Sequence, residues 1–305
     1  MNSANRIAIV ADALSTDPRS AAASSNQLGF AGLQFEAFGT FKLTELSQTG
    51  LRDFRHMLAN HNQAFVGSRI DFGNTGLMPG ADVDRILHQL EKVFLANKGL
   101  GSSLVCVEVG PLPEPIAKPA IKPKVTAQQA GAILLPDPSW SPDFKQEVAA
   151  PIDPVLQNKF DASSSYVSSA LSAIGELADR YHITLALRAE LASFAAIEYA
   201  LNSVRCPWLG IDLDPVAILR DHWPVDDIFA RFSSKILHVR TRDALVGDNH
   251  RTKPTMIGNG HTNWPSLFHL LEDAGYQSYL TIDPIDLPNR PTAAVTGLAA
   301  IRAVM

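Results

Sequence analysis

The chain has 305 residues, 46% of them hydrophobic, and a formal net charge of -5. This suffices for one large α/β domain with a sizeable core, and the mildly acidic balance lacks the clustered Lys and Arg that nucleic-acid binding calls for. The N-terminus carries no basic region leading into a long apolar run, no stretch approaches the ~20 apolar residues of a membrane span, and Cys106 and Cys206 form no disulfide or metal spacing, so a cytoplasmic protein with buried free thiols is expected.

Taken in order, strand-like and helix-like segments alternate. Residues 6–10 read as a first strand, and 18–28 as a helix with Ser15, Thr16 and Asp17 as capping candidates. A strand at 31–36 is followed by apolar residues at helical spacing over 43–60 (Leu43, Leu46, Leu51, Phe54, Met57, Leu58). A third strand at 64–72, an amphipathic helix at 81–97 and a fourth strand at 103–109, apolar except for Glu108, complete the first half. Residues 110–153 break the rhythm with a proline-rich stretch, too long for an ordinary connection and read as a surface excursion or a lid. An oligomer contact is a further use for it, so a homo-oligomer is compatible with the sequence.

Alternation then resumes: helix 163–181, strand 183–188, helix 193–203, strand 208–214, helical turns over 217–232, strand 235–240, a polar loop over 243–262, helix 264–274, strand 279–283 and helix 292–304. Eight strands and about eight helices in strict order predict a single (β/α)8 TIM barrel spanning 1–305, with the proline-rich segment inserted after the fourth strand. No Gly-rich phosphate fingerprint follows the first strand, which argues against an open doubly wound sheet.

Barrel chemistry sits at the C-terminal ends of the strands, and residues two apart on a strand share a face. By that alternation the inward groups are Gln34, Glu36, Arg69, Asp71, Glu108, Arg188, Glu190, Asp212, Asp214, His238, Arg240, Arg242 and Asp283. Buried charges are costly unless paired, so this many ionisable groups at one end mark a pocket. Asp212, one layer below Asp214, is expected to pair with an arginine. Asp243 reads as a loop-positioning carboxylate, Gly258 and Gly260 as turn glycines, and Trp264 as helix-start packing. His250, Arg251 and Lys253 read as members of a solvated loop.

The segments Gly29-Phe30-Ala31-Gly32-Leu33-Gln34, Gly210-Ile211-Asp212-Leu213-Asp214-Pro215 and His238-Val239-Arg240-Thr241-Arg242-Asp243 resemble successive landmarks of the xylose isomerase-like TIM barrels, the sugar phosphate isomerase/epimerase group. So do Ile257-Gly258-Asn259-Gly260, Asn263-Trp264-Pro265, Ala274-Gly275-Tyr276 and Leu280-Thr281-Ile282-Asp283. The resemblance implies a divalent metal held by a Glu, an Asp, a His and a Glu ending the fifth to eighth strands. These positions fall on Arg188, Asp214, Arg240 and Asp283, so only the sixth-strand Asp is kept unchanged. Gln34 replaces the second-strand Glu of many members, and Ala217 a His three residues after the sixth-strand Asp.

A guanidinium stays protonated and has no lone pair to give, so it cannot ligate a cation. A salt-bridge cluster of Arg188 and Arg240 with Asp214 and Asp283 is therefore expected in the place of the metal. No metal or other cofactor is expected, and a Mn or Zn ion only if its site has moved. The ligand implied is a small sugar-like molecule, a sugar phosphate or sugar acid included, contacted by Arg188, Asp214, His238, Arg240 and Arg242. Asp283 and Glu108 are the expected bases for an isomerase or epimerase. The alternative is a non-catalytic barrel that binds a ligand or a protein partner. Neither nucleic acid nor a membrane is an expected partner.

Overall fold

The computed structural model describes residues 6–116, 153–188, 192–247 and 251–305. The strands β1 (Ile7–Val10), β2 (Gly32–Glu36), β3 (Ala64–Asp71), β4 (Leu104–Glu108), β5 (Thr184–Arg188), β6 (Leu209–Leu213), β7 (Ile236–Thr241) and β10 (Leu280–Ile282) pair in parallel around a closed barrel. The expected TIM barrel is thus the observed fold. A short antiparallel hairpin, β8 (Asp243–Val246) with β9 (Thr252–Thr255), stands between β7 and the last helical pair.

Local chemistry sets the element boundaries. The first helix, α1 (Pro18–Leu28), opens with Asp17 accepting from the Ser20 amide and closes on Gly29 at φ 86°. The stretch expected as one helix over 43–60 is two pieces. A 3-10 turn (Leu43–Glu45) precedes α2 (Gln48–Asn60), because Ser47 caps α2 by accepting from the Gly50 amide and lies outside the helix itself. Helix α3 (Val83–Leu100) is capped by Asp82 and ended by Gly101 at φ 83°.

Beyond β4, α4 (Pro154–Tyr181) starts upstream of the expected 163, since Asp153 caps it and Pro154 takes the first helical position. Residues 217–232 resolve into α6 (Pro215–Asp221) and α7 (Val225–Phe232), separated where Pro224 cannot donate an amide to a continuing helix. The remaining helices are α5 (Phe194–Ser203), α8 (Trp264–Asp273) and α9 (Arg290–Val304). The polar loop expected at 243–262 contains the β8–β9 hairpin; cross-strand backbone pairing satisfies its amides in spite of its polarity. Residues 117–152 of the proline-rich segment lie outside the described residues.

Leu33, Val105, Leu185, Val239 and Ile282 are buried together with helix residues such as Leu90, Phe94, Leu171 and Ile301 in one continuous core. No described helix is long and apolar enough to cross a membrane.

Candidate functional site

The ends of β2 to β7 and β10 bring charged side chains together at one mouth. Arg240, 2% exposed, is the hub: its Nη1 donates to Asp283 Oδ2 at 2.5 Å, and its Nη2 and Nε donate to Asp212 Oδ2 at 3.1 and 3.3 Å. Arg188 Nε lies 3.3 Å from Glu108 Oε2 and 3.6 Å from Asp214 Oδ2. Arg242 donates to both oxygens of Asp214 and, at 3.0 Å, to Asp286. Arg69 joins Glu36 to Asp283, donating to the latter at 3.1 Å. The expected pairing of Asp212 with an arginine is present, and Arg188 and Arg240 face Asp214 and Asp283 in pairs.

These contacts dominate the electrostatics. Burial works to raise Asp283, but Arg240 and then Arg69 more than reverse it and hold the carboxyl well below its ordinary range. Asp212 and Asp214 follow the same logic, the former lowered by His238 and Arg240, the latter by Arg242 and Arg188. Glu36 goes the other way. Its burial outweighs Arg69, and its pKa is raised. Asp12, which had not been read as a site residue, is also raised by burial against the pull of Arg69.

A cavity of about 180 Å³ opens over this network. Of the expected ligand contacts, Arg188, Arg240 and Arg242 line it, as do both expected bases, Glu108 and Asp283. Asp214 and His238 stand behind that wall, fully or almost fully buried. His238 donates from Nδ1 to Asp212 Oδ1 at 2.6 Å, and its Nε2 lies 2.8 Å from Thr281 Oγ1. Asp71, expected to point inward, lines the cavity at its exposed rim, at the end of β3, and accepts from the Gly73 amide. Glu190 and His250 lie outside the described residues.

Two features were hidden in the sequence. Cys106 is buried on the barrel interior as expected of a free thiol, yet it lies beside Asp212 and His238; Cys206 is only half-buried. Strand alternation places Cys106 on the same face as Glu108 and could have shown the first of these. Asp243 does position a loop, on a larger scale than a single cap. Its carboxylate accepts from the amides of Ala244, Gly258, Gly260 and Thr262 and from Trp264 Nε1, tying the hairpin to the start of α8.

At the four positions where the resemblance implies a metal, the side chains present are two guanidiniums and two carboxylates. Both carboxylates already accept from arginines, Asp283 from Arg240 and Asp214 from Arg242, and the guanidiniums offer no lone pair. This donor set does not fit a divalent cation.

Comparison with known proteins places this architecture. The family described as xylose isomerase-like TIM barrel matches residues 22–304. Among solved structures, a xylose isomerase domain protein from Planctomyces limnophilus superposes with a TM-score of 0.66 at 14% identity, covering 98% of this chain and 95% of that one. A D-psicose 3-epimerase solved in the presence of D-fructose gives 0.65 at 14% identity, over 98% and 99% of the two chains. An IOLI protein with a bound zinc atom gives 0.67 at 11% identity, over 98% and 95%. At these identities the likeness is one of fold. Comparison with curated proteins finds no match.

Proposed function

The chain belongs to the xylose isomerase-like TIM-barrel family, and from that premise we propose that its mouth holds a neutral, sugar-like polyol with guanidinium–carboxylate pairs where relatives are expected to use a divalent cation. The observation that carries this reading is the seat of Arg240, buried between Asp212 and Asp283 at the expected position of a metal-binding histidine. Among the described residues lining the cavity, five carboxylates (Glu36, Asp71, Glu108, Asp283, Asp286) face four arginines (Arg69, Arg188, Arg240, Arg242). That balance leaves no surplus positive charge for a phosphate or sugar acid. It does supply donors and acceptors side by side, which is what hydroxyl groups pair with.

A second reading, conversion of the bound sugar by metal-independent proton transfer, is favoured by Glu36. This carboxylate lines the cavity with a raised pKa and so stands closer to exchanging a proton near neutrality. Glu108, two strands round the barrel at the end of β4, keeps its proposed role as a base. Asp283, held ionised by two guanidiniums, is the weaker proton acceptor and serves better to orient Arg240 and Arg69.

The test is calorimetric titration of the protein with D-fructose, D-tagatose and a sugar phosphate, with and without added Mn. Binding of a neutral ketose that Mn leaves unchanged is the expected result. Binding that appears only with Mn, or only for the phosphate, would overturn the proposal. A product detected on prolonged incubation with chelator present supports the second reading.

A further inference from the structure

Below the arginine-lined mouth lies a second polar layer. Gln34, Cys106, Asp212 and His238 each stand two residues before a mouth residue on the same strand: Glu36, Glu108, Asp214 and Arg240. They therefore face the same interior, about 6.6 Å deeper by strand geometry. None of the four is more than 2% exposed. The Cys106 sulfur, an Asp212 oxygen and a His238 ring nitrogen all lie within 4.8 Å of one another.

The outward atoms of this group are already held. Asp212 Oδ2 accepts from Arg240, and His238 Nε2 meets Thr281 Oγ1 at 2.8 Å. This leaves Asp212 Oδ1 and His238 Nδ1 turned toward each other, 2.6 Å apart, beside the sulfur. The Gln34 carboxamide completes the ring: its Nε2 is 3.2 Å from Cys106 Sγ, while its Oε1 has no hydrogen-bond partner among the described residues. A buried carbonyl oxygen without a donor is costly, and a half-turn of the carboxamide brings that oxygen to the sulfur side of the cluster.

The geometry points to a binding site for a thiophilic divalent cation of the zinc class, formed by Cys106 Sγ, His238 Nδ1, Asp212 Oδ1 and Gln34 Oε1. A set of one sulfur, one imidazole nitrogen and two oxygens suits Zn or Co and does not suit Mg or Ca, which take oxygen ligands alone. The charge balance is favourable. The Cys106 thiolate and the Asp212 carboxylate together match a doubly charged cation, so the occupied site adds no net repulsion toward Arg240. Arg240 on Asp212 and Thr281 on His238 act as outer partners that orient the ligand atoms. The mouth cavity reaches Cys106, which provides an entry path. The site stands independently of the sugar-binding proposal. It is distinct from the strand-end positions 188, 214, 240 and 283, and it would pin β2, β4, β6 and β7 together beneath the arginines.

The experiment is titration of the chelator-treated full chain with Co, read by the sulfur-to-cobalt charge-transfer absorption, followed by displacement with Zn. The expected result is one Co per chain with a thiolate band that Zn abolishes. Cys206→Ser keeps both, Cys106→Ser loses the band, and Gln34→Leu weakens affinity by about tenfold or more. Absence of the band in the unaltered chain, or its survival in Cys106→Ser, would overturn the assignment. Should Cys106→Ser fail to fold, X-ray absorption of the zinc-loaded unaltered chain decides: one sulfur in the coordination shell supports the site, and a shell of nitrogen and oxygen alone refutes it.

Discussion

Replacing Arg240 with methionine tests whether the buried guanidinium holds the mouth together. The substitution keeps most of the side-chain volume and removes three N–H donors, one to Asp283 at 2.5 Å and two to Asp212 at 3.1 and 3.3 Å. Breaking a buried ion pair by deleting one partner costs about 3–5 kcal/mol, because the other charge is left desolvated. Here neither carboxylate is wholly abandoned. Asp283 keeps Arg69 at 3.1 Å and Asp212 keeps His238 at 2.6 Å, which places the loss at the lower end, about 3 kcal/mol. Equilibrium urea unfolding at neutral pH, followed by both fluorescence and circular dichroism, measures it. Arg240→Met combined with Asp283→Leu should cost clearly less than the sum of the two single changes, since the pair is removed together. A loss below about 1 kcal/mol for Arg240→Met, or strict additivity in the double variant, would refute the account of Arg240 as the hub.

The other predictions address separate parts of the structure. Burial works to lower His238, yet Cys106 and Asp212 raise it to about 10, above its unfolded value; its contribution is complete below about pH 6.5 and declines until pH reaches 10, so the stability gap between the unaltered chain and His238→Gln should narrow over that window. Asp212, Asp214 and Asp283 are lowered, and the stability they contribute above about pH 4 should be lost as pH falls further, visible as acid unfolding that Asp283→Asn makes shallower. Asp243→Ala strands several amide donors and should cost about 2–4 kcal/mol, with faster hydrogen exchange at Gly258 and Gly260. A Cβ at Gly260 would land on the Asp243 carboxylate, so Gly260→Ala should be comparably damaging; unchanged exchange rates in either variant would count against the hub role of Asp243. If the barrel converts its ligand, Glu108→Gln and Glu36→Gln should each lower turnover by about 100-fold or more while sugar binding persists, and a variant with full activity removes that residue from the chemistry.

Much of the candidate site could be read from period-two alternation alone. Arg188, Arg240, Arg242, Glu108 and Asp283 were picked out because strands buried on both faces rarely carry charge, and all five line one cavity. Asp71, the last residue of β3, lines the same cavity from its exposed rim, as alternation expects. Asp12 was overlooked because it sits in a short 3-10 turn after β1, where no strand period applies. The break before α2 also escaped the apolar spacing. Leu43, Leu46 and Leu51 keep helical intervals across it, and only the Ser47 cap reveals the boundary.

The order of apolar runs, caps and glycines determined the eight-stranded barrel, since each strand and helix needs only local periodicity and a place to bury one face. Likewise, arginines at two expected ligand positions followed from residue identity, because a guanidinium has no lone pair in any conformation. Which carboxylate each arginine would take was decided by the tertiary structure alone. Asp212 and Arg240 are 28 residues apart, and Arg69 and Asp283 are 214 apart. Barrel closure and strand register bring such partners to 3 Å, and these are long-range geometric facts that no local pattern encodes. The deeper group of Gln34, Cys106, Asp212 and His238 has the same origin: four strands contribute one residue each, and only the closed barrel makes them neighbours.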